Sequence, residues 1–417
     1  MTPFLRAVLV IVLCLISLAI FIYNILTHKS RAKRAYSLLM FLCVAYPFLD
    51  LSFTPFNIRV TPFDFALWSF LIVNYDFIVE LKRYKLLVLL LCVMILTSLL
   101  SEFVVDSLWS IPKSFRVFAL FIISCVYFRS FCTNEINNRF IKLFIWPAIV
   151  AVVFGVIQIS ISPSFSLYFS QWNKEARISS CFIDPQIAGC CIAILATYML
   201  NIFLCYRKIL SLFLFVLLLF VGLYTGSKVF VLSVAVCMCI SLFKARRKSQ
   251  AIFFFIFSCV LLFVMYTQLG DLLIFERMND MDSSLEGRKE LYWLGAWDIF
   301  TNNWFSGIGS GVFQQYIEKY NYPMAHFVDG EYLYAMQPES GYLLWLDEYG
   351  ILGIVFLLII IALLRGKSSC KLDCRIMLIP FLICFASLYN LSSAQLVFLL
   401  SIISAVLYCS ANNKASV

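Results

Sequence analysis

Charge is what this chain has least of. Of its 417 residues 13% are charged and 63% are hydrophobic, whereas an ordinary soluble domain is about 25% charged. The mean hydropathy is +0.93. So few polar residues cannot cover the two or three soluble domains that the length alone would suggest. A soluble enzyme, a nucleic-acid binder and a secreted disulfide scaffold are therefore set aside. Histidine is nearly absent, with only His28 and His326, which excludes a histidine-rich metal centre. A fixed-period repeat, a two-half symmetry and the paired broken helices of carriers are missing too, and this weighs against transport.

Sixteen cysteines are present, but most of them (Cys14, Cys43, Cys92, Cys125, Cys190, Cys191, Cys237, Cys239, Cys259, Cys384 and Cys409) lie inside apolar runs, where they act as small packing residues. Cys370 and Cys374 share a basic loop without two further ligands nearby, so no metal site is expected. The first 27 residues are apolar with one early Arg6. No small-x-small site precedes the basic cluster at 28–34, so they read as a retained span rather than a cleaved signal.

Long apolar runs are what the chain does have. A helix needs about 20 such residues to cross a bilayer. Thirteen candidates fall near 4–27, 36–53, 62–81, 86–105, 115–132, 140–162, 185–205, 209–224, 229–243, 251–268, 340–364, 375–391 and 394–410. The region 36–81 is interrupted by Pro47, Asp50, Pro55, Pro62 and Asp64, so twelve spans with a flipped N-terminus is the alternative. The expected fold is all-α: a polytopic transmembrane bundle of about 12–13 spans. Residues 1–268 would hold spans one to ten, 269–339 one large outer loop with short amphipathic helices, and 340–417 the last spans.

Thirteen spans put every basic connection on one side: 28–35, 82–85, 129–142, 206–208, 244–248 and 365–375. The positive-inside rule makes that side the cytoplasm. The outer loop to Gln337 holds ten acids and four bases, a net −6, which leaves +15 on the rest of a chain whose total is +9. The surplus is mostly topology.

Four polar stretches sit at outer helix ends, where a charge inside a span would cost roughly 2.5–3.5 kcal/mol without a task or a partner. In 177–189, Asp184 and Pro185 read as a helix start, with Arg177 ahead of them; a helix cap and a headgroup anchor would account for both. In the short turn 224–228, Lys228 runs against the charge rule, and snorkelling or an anion contact would explain it. In 287–311, Arg288 leads an amphipathic helix with Trp293, Trp297, Phe300 and Trp304, followed by Gly307, Gly309 and Gly311 as a flexible turn. Arg288 opposes the helix macrodipole there, which a phosphate ligand would offset. In 338–353, Glu339 stands at the mouth of a span as base or as cap, Asp347 and Glu348 lie two to three turns inside, and Gly350 and Gly353 allow close helix contact.

Taken in order, these stretches resemble the O-antigen polymerase and O-antigen ligase superfamily of bacterial inner-membrane proteins. The likeness lies in the Arg177–Gln186 segment, the Ser227-Lys228 turn, the Arg288-led helix ending in Asn302-Asn303-x-Phe305-x-Gly307-x-Gly309, and Leu343-x-x-Leu346-x-Glu348-x-Gly350-x-x-Gly353. It is clearest over 177–353. The resemblance implies a metal-independent glycosyltransferase with no cofactor, in the inner membrane, with its loop in the periplasm and an undecaprenyl-pyrophosphate-linked oligosaccharide as substrate. Arg177, Lys228 and Arg288 would hold the pyrophosphate, and Glu339 would activate the acceptor hydroxyl beside Arg288. His326, Asp184 and Glu348 are further candidates. The ligase branch has His eleven residues before the glycine matched by Gly350; here that residue is Glu339, which favours a polymerase that joins repeat units, with a chain-length regulator as partner. The alternatives are a ligase acting on lipid A-core, a glycan-lipid flippase or transporter, and a non-catalytic scaffold.

Overall fold

The computed structural model describes residues 3–27, 29–54, 60–131, 133–162, 165–168, 177–244, 256, 274, 286–328, 331–335, 337–365, 374–387 and 391–412. The expected span at 251–268, the start of the outer loop to residue 285, His28 and Cys370 lie outside these residues, apart from 256 and 274.

Most apolar runs fold as helices: those at 185–205, 209–224, 229–243 and 394–410 keep their bounds within two residues, whereas 36–53 is helical over Arg31–Val44 and 375–391 over Ile379–Phe385. In chain order these are α1 (Pro3–Leu26), α2 (Arg31–Val44), α3 (Pro62–Val73), α4 (Lys85–Leu100), α5 (Val104–Phe128), α6 (Thr133–Ile161), α7 (Pro185–Tyr206), α8 (Ile209–Tyr224) and α9 (Lys228–Lys244). The loop region adds α10 (Leu294–Asn302) and α11 (Phe313–Lys319); α12 (Gly341–Tyr349), α13 (Ile354–Arg365), α14 (Ile379–Phe385) and α15 (Ala394–Asn412) follow. Among the described residues six helices are long and apolar enough to cross a membrane, counting Gly341–Leu363 as one, and a bent pair would make seven. The chain is an all-α, multi-pass membrane bundle. The described cysteines are free, and most are buried as packing residues, although Cys92, Cys205 and Cys239 are exposed.

Three details differ from the apolar pattern. The run at 62–81 breaks at Asn74, where α3 turns by 90° into the 3-10 segment Tyr75–Arg83. Helix α5 starts at Val104 rather than near 115, because it carries Pro112 inside it and buries Arg116. The Arg116 guanidinium pairs with Asp64 at 3.1 Å and donates to the Leu391 and Ser392 carbonyls, so a charge that argues against a span is neutralised within the bundle. The loop region 269–339, expected to contain short amphipathic helices, also contains a hairpin, β1 (Ala325–Val328) against β2 (Glu331–Tyr334), antiparallel with Ala325 opposite Tyr334.

Helix α7 is the axis of the bundle. It is buried along almost its whole length and packs on α8, α9, α6, α14 and α15. Helix α15 lies against α5, so the last helices interleave with the first ones. At one end Arg31 and Arg34 converge on Asp76, and Arg31, Arg83 and Arg129 converge on the buried Glu80. Bases from three of the charged connections thus meet at a single end.

The opposite end carries the loop. The α4–α5 turn holds it: Lys319 Nζ donates to Glu102 at 2.7 Å and Tyr320 Oη does the same. The Lys319 bond, with that of Tyr320, lowers the Glu102 carboxyl below its ordinary 4.5, and Glu102 raises Lys319 above 10.5. The acid's contribution is therefore present above about 4.5 and lost as pH falls through its lowered value; that of Lys319 is lost only as pH rises through its raised value. Both groups are exposed, so the expected effect is small and screened by salt. Amide exchange over 313–320 should be slowest near neutral pH, after correction for the intrinsic rate, and should rise as the pH falls well below 4.5. A Glu102→Gln protein should show no such acid limb.

Candidate active site

The site forms where the N-terminal end of α7 meets the loop. Asp184 Oδ1 accepts from the Gln186 N–H at 2.6 Å and the Ile187 N–H at 3.4 Å, and Pro185 occupies the first turn, so the capping reading of Asp184 holds. The segment ahead of it is held on three sides. The Ser179 and Ser180 N–H groups donate to Gln158 Oε1 of α6 at 3.1 and 2.8 Å, and Gln395 Nε2 of α15 donates to the Cys181 carbonyl at 2.6 Å. Ile178 N–H donates to Tyr224 O. Ser180 takes a positive φ of 52° inside this clamp.

Arg177 is only 1% exposed, which rules out a headgroup anchor. Its Nε donates to Thr225 O at 3.0 Å. The first and second polar stretches are therefore one unit, and Lys228 opens α9 three residues beyond that carbonyl, half-buried.

The third and fourth stretches meet in an ion pair, Arg288 Nε to Glu339 Oε2 at 2.9 Å, with the two side chains 21% and 29% exposed. Glu339 does not cap α12. Ser340 does, its Oγ accepting from the Leu343 N–H at 3.4 Å. Glu339, just before it, takes φ +49°, a left-handed conformation that costs a non-glycine residue of order 1–3 kcal/mol and persists only where its surroundings enforce it. Residues 289–293 form a π-turn, a feature frequent at functional sites. It carries Tyr292, whose phenol is raised by burial, then by the Glu339 charge, against the opposing effect of Arg288. Burial likewise raises the Asp184 carboxyl; the Gln186 N–H and the Arg177 charge lower it, and Glu339 raises it. The charges of Arg177 and Glu339 thus both reach Asp184, and those of Glu339 and Arg288 both reach Tyr292, with Arg177 buried beneath the partly exposed Arg288–Glu339 pair.

Residues 189–358 match the family model described as O-antigen ligase. The match supports the O-antigen ligase and polymerase superfamily for this region of the chain. Members of this superfamily are glycosyltransferase-like enzymes acting on lipid-linked glycans. The matched region takes in Lys228, Arg288, Glu339 and Glu348, while Arg177 and Asp184 lie just ahead of it. No curated protein matches the chain.

Two other candidate residues are His326 and Glu348. His326 lies on β1 opposite Leu333. Glu348 is buried in α12, where the Gly311 N–H, Tyr349 and the Lys113 charge surround its carboxylate. Its surroundings explain the glycine run. The Ile308 and Gly309 N–H groups donate to the Asp347 and Glu348 carbonyls at 2.8 and 3.0 Å, and Ile351 N–H donates to Trp304 O at 2.7 Å. Ile308 and Gly309 thus satisfy carbonyls left open where α12 stops at Gly350, and the Trp304 carbonyl accepts from the N–H just beyond it. Ser101 Oγ donates to Ile308 O at 2.5 Å and Ser110 Oγ to Ser310 O at 2.6 Å. The run expected to be a flexible turn is a fixed clasp.

Gly307 (φ +68°) and Gly309 (φ +103°) are required there. A Cβ on Gly307 would lie 2.4 Å from the Glu348 carbonyl carbon, and one on Gly309 2.6 Å from Ser101 Cβ. A Gly307→Ala protein should lose at least about 2 kcal/mol from the left-handed backbone and the forced contact. A lowered midpoint in thermal unfolding of the detergent-solubilised protein checks this.

Sequence reasoning missed Tyr292, Ser340 and the clasp serines. Ser340 stands one residue before the helical periodicity begins, a readable cap signal. The serines Ser107, Ser110 and Ser114 recur at the start of α5 and could have been read as one polar helix face.

Proposed function

We propose that this protein is a surface-polysaccharide polymerase that joins undecaprenyl-pyrophosphate-linked oligosaccharide units at the periplasmic face of the bacterial inner membrane. The Arg288–Glu339 pair carries the reading. The acceptor hydroxyl of an incoming lipid-linked unit attacks the anomeric carbon of the growing chain. The bond from that carbon to the phosphate oxygen breaks, the hydroxyl proton passes to Glu339, and the electron pair leaves with undecaprenyl pyrophosphate. Before substrate enters, Glu339 is held by Arg288. The pyrophosphate draws Arg288 to itself, and the freed carboxylate becomes competent for proton transfer. Arg288 and Lys228 neutralise the departing charge directly, while the buried Arg177 adds positive potential from beneath. The exposed Leu291, Leu294, Trp297, Trp304 and Phe305 suit a helix resting in the interface beside a lipid-linked substrate.

The description of the matched family as O-antigen ligase favours a second reading, transfer of finished glycan to lipid A-core. Glu339 in place of histidine speaks for the polymerase. Cells lacking this protein separate the two. Lipopolysaccharide bearing a single repeat unit is expected for a polymerase; lipopolysaccharide bearing none would identify the ligase.

A further inference from the structure

A second place in the molecule has the build of a ligand site, at the end opposite the loop. A cavity of about 430 Å³ opens among α4, α5, α13 and α15, within the 300–1,000 Å³ of ordinary ligand pockets. Its mouth is polar and basic, lined by Arg83, Tyr84 and Lys85; its walls are apolar, with Phe121, Ile359 and Leu407 among them. Arg129 reinforces the mouth from behind. Its guanidinium lies over the rings of Tyr84 and Tyr408 at 5.2 and 5.7 Å, and both rings line the cavity. Glu80 is the one acid in ion-pair contact with these bases among the described residues, bonded to Arg83 at 2.9 Å and near Arg129 at 3.5 Å. With Lys82 and Lys85 the mouth keeps a positive surplus. Deeper in the bundle a smaller cavity of about 50 Å³ shares Ile359 and Leu363 with the first and continues between Val117, Phe118 and Phe356.

We infer that this cavity binds an anionic phospholipid, with the phosphate at Arg83 and Lys85 and an acyl chain between α5 and α13. Two properties select this occupant. The basic mouth complements a negative headgroup, and basic pockets between membrane helices at the cytoplasmic surface are where such headgroups settle. The apolar depth suits a hydrocarbon chain and offers nothing to a soluble phosphate. The site touches none of the residues of the Arg288–Glu339 surface, so it is independent of the reaction proposed there. A chain lodged against α13 would brace the helix that follows the Gly350 break.

The purified full-length protein, delipidated in detergent, is titrated with phosphatidylglycerol or phosphatidylcholine of the same acyl chains and read by native mass spectrometry. One phosphatidylglycerol should remain bound under activation that strips phosphatidylcholine. Lys85→Gln should lower its occupancy about fivefold, the contribution of one cation beside an anionic surface, and Lys85→Arg should restore it. Ala362→Trp, which fills the apolar wall and leaves every charge in place, should lower it as well. Lys85 and Ala362 are exposed, so both variants should keep the wild-type unfolding midpoint in lipid-free detergent. Glycerol 3-phosphate should not compete. Equal retention of phosphatidylcholine, unchanged binding in Ala362→Trp, or displacement by glycerol 3-phosphate would each overturn the assignment.

Discussion

Arg288→Ala is expected to lower glycan transfer by about a hundred- to a thousandfold, the usual loss when one donor to a developing negative charge is removed. Arg288 stands at the head of the π-turn, partly exposed, and its described ion pair is with Glu339. A partly exposed pair of this kind adds on the order of 1 kcal/mol to stability, so the variant should fold and insert normally. The deficit should appear in kcat, because the guanidinium's task lies in holding the departing pyrophosphate. Arg288→Lys should recover part of the rate, since it keeps the charge and loses the two-pronged geometry. A polymer ladder on membranes with matched protein levels, followed by single-turnover rates, measures both. Wild-type ladder length in Arg288→Ala would remove this residue from the site.

Glu339→Gln is expected to be as severe, with a loss of about 10²- to 10⁴-fold if the carboxylate accepts the acceptor's proton. The substitution keeps the side-chain size and a group that accepts from Arg288, so it removes little but the basicity. Ser340 is the control. It is the cap of α12, and Ser340→Ala should cost about 1 kcal/mol of helix stability with only a modest change in rate. A cap role for Glu339 would give the reverse, lowered stability in Glu339→Gln with the rate preserved. Glu339→His tests the branch difference directly, because it supplies the base of the ligase kind at the same backbone position.

Much of this molecule was legible in its sequence, for a physical reason. In a bilayer each apolar run must close its own backbone hydrogen bonds, so hydropathy alone places most helices within a few residues. The pattern failed where a polar side chain finds a partner far along the chain. Arg116 hides the true start of α5 because Asp64 and the carbonyls at 391 and 392 neutralise it. The glycines at 307–311 read as flexible because glycine is common in mobile loops; serines some 200 residues earlier and the end of α12 fix them. The charge rule pointed to Arg177, Lys228 and Arg288 as misplaced bases. It could not tell that Arg177 is sealed beneath the surface while Arg288 faces Glu339, because burial depends on how the 177–184 segment is clamped by Gln158 and Gln395. Tyr292 carried no sequence signal of its own, since its place follows from the π-turn.

The most direct test supplies the purified protein with one lipid-linked repeat unit, and with lipid A-core in a parallel reaction, and resolves the products by size. A ladder of lengthening lipid-linked glycan without lipid A-core, lost in both Arg288→Ala and Glu339→Gln, is the result expected here. Product only on lipid A-core, or no transfer from a folded, lipid-replete protein, would contradict it.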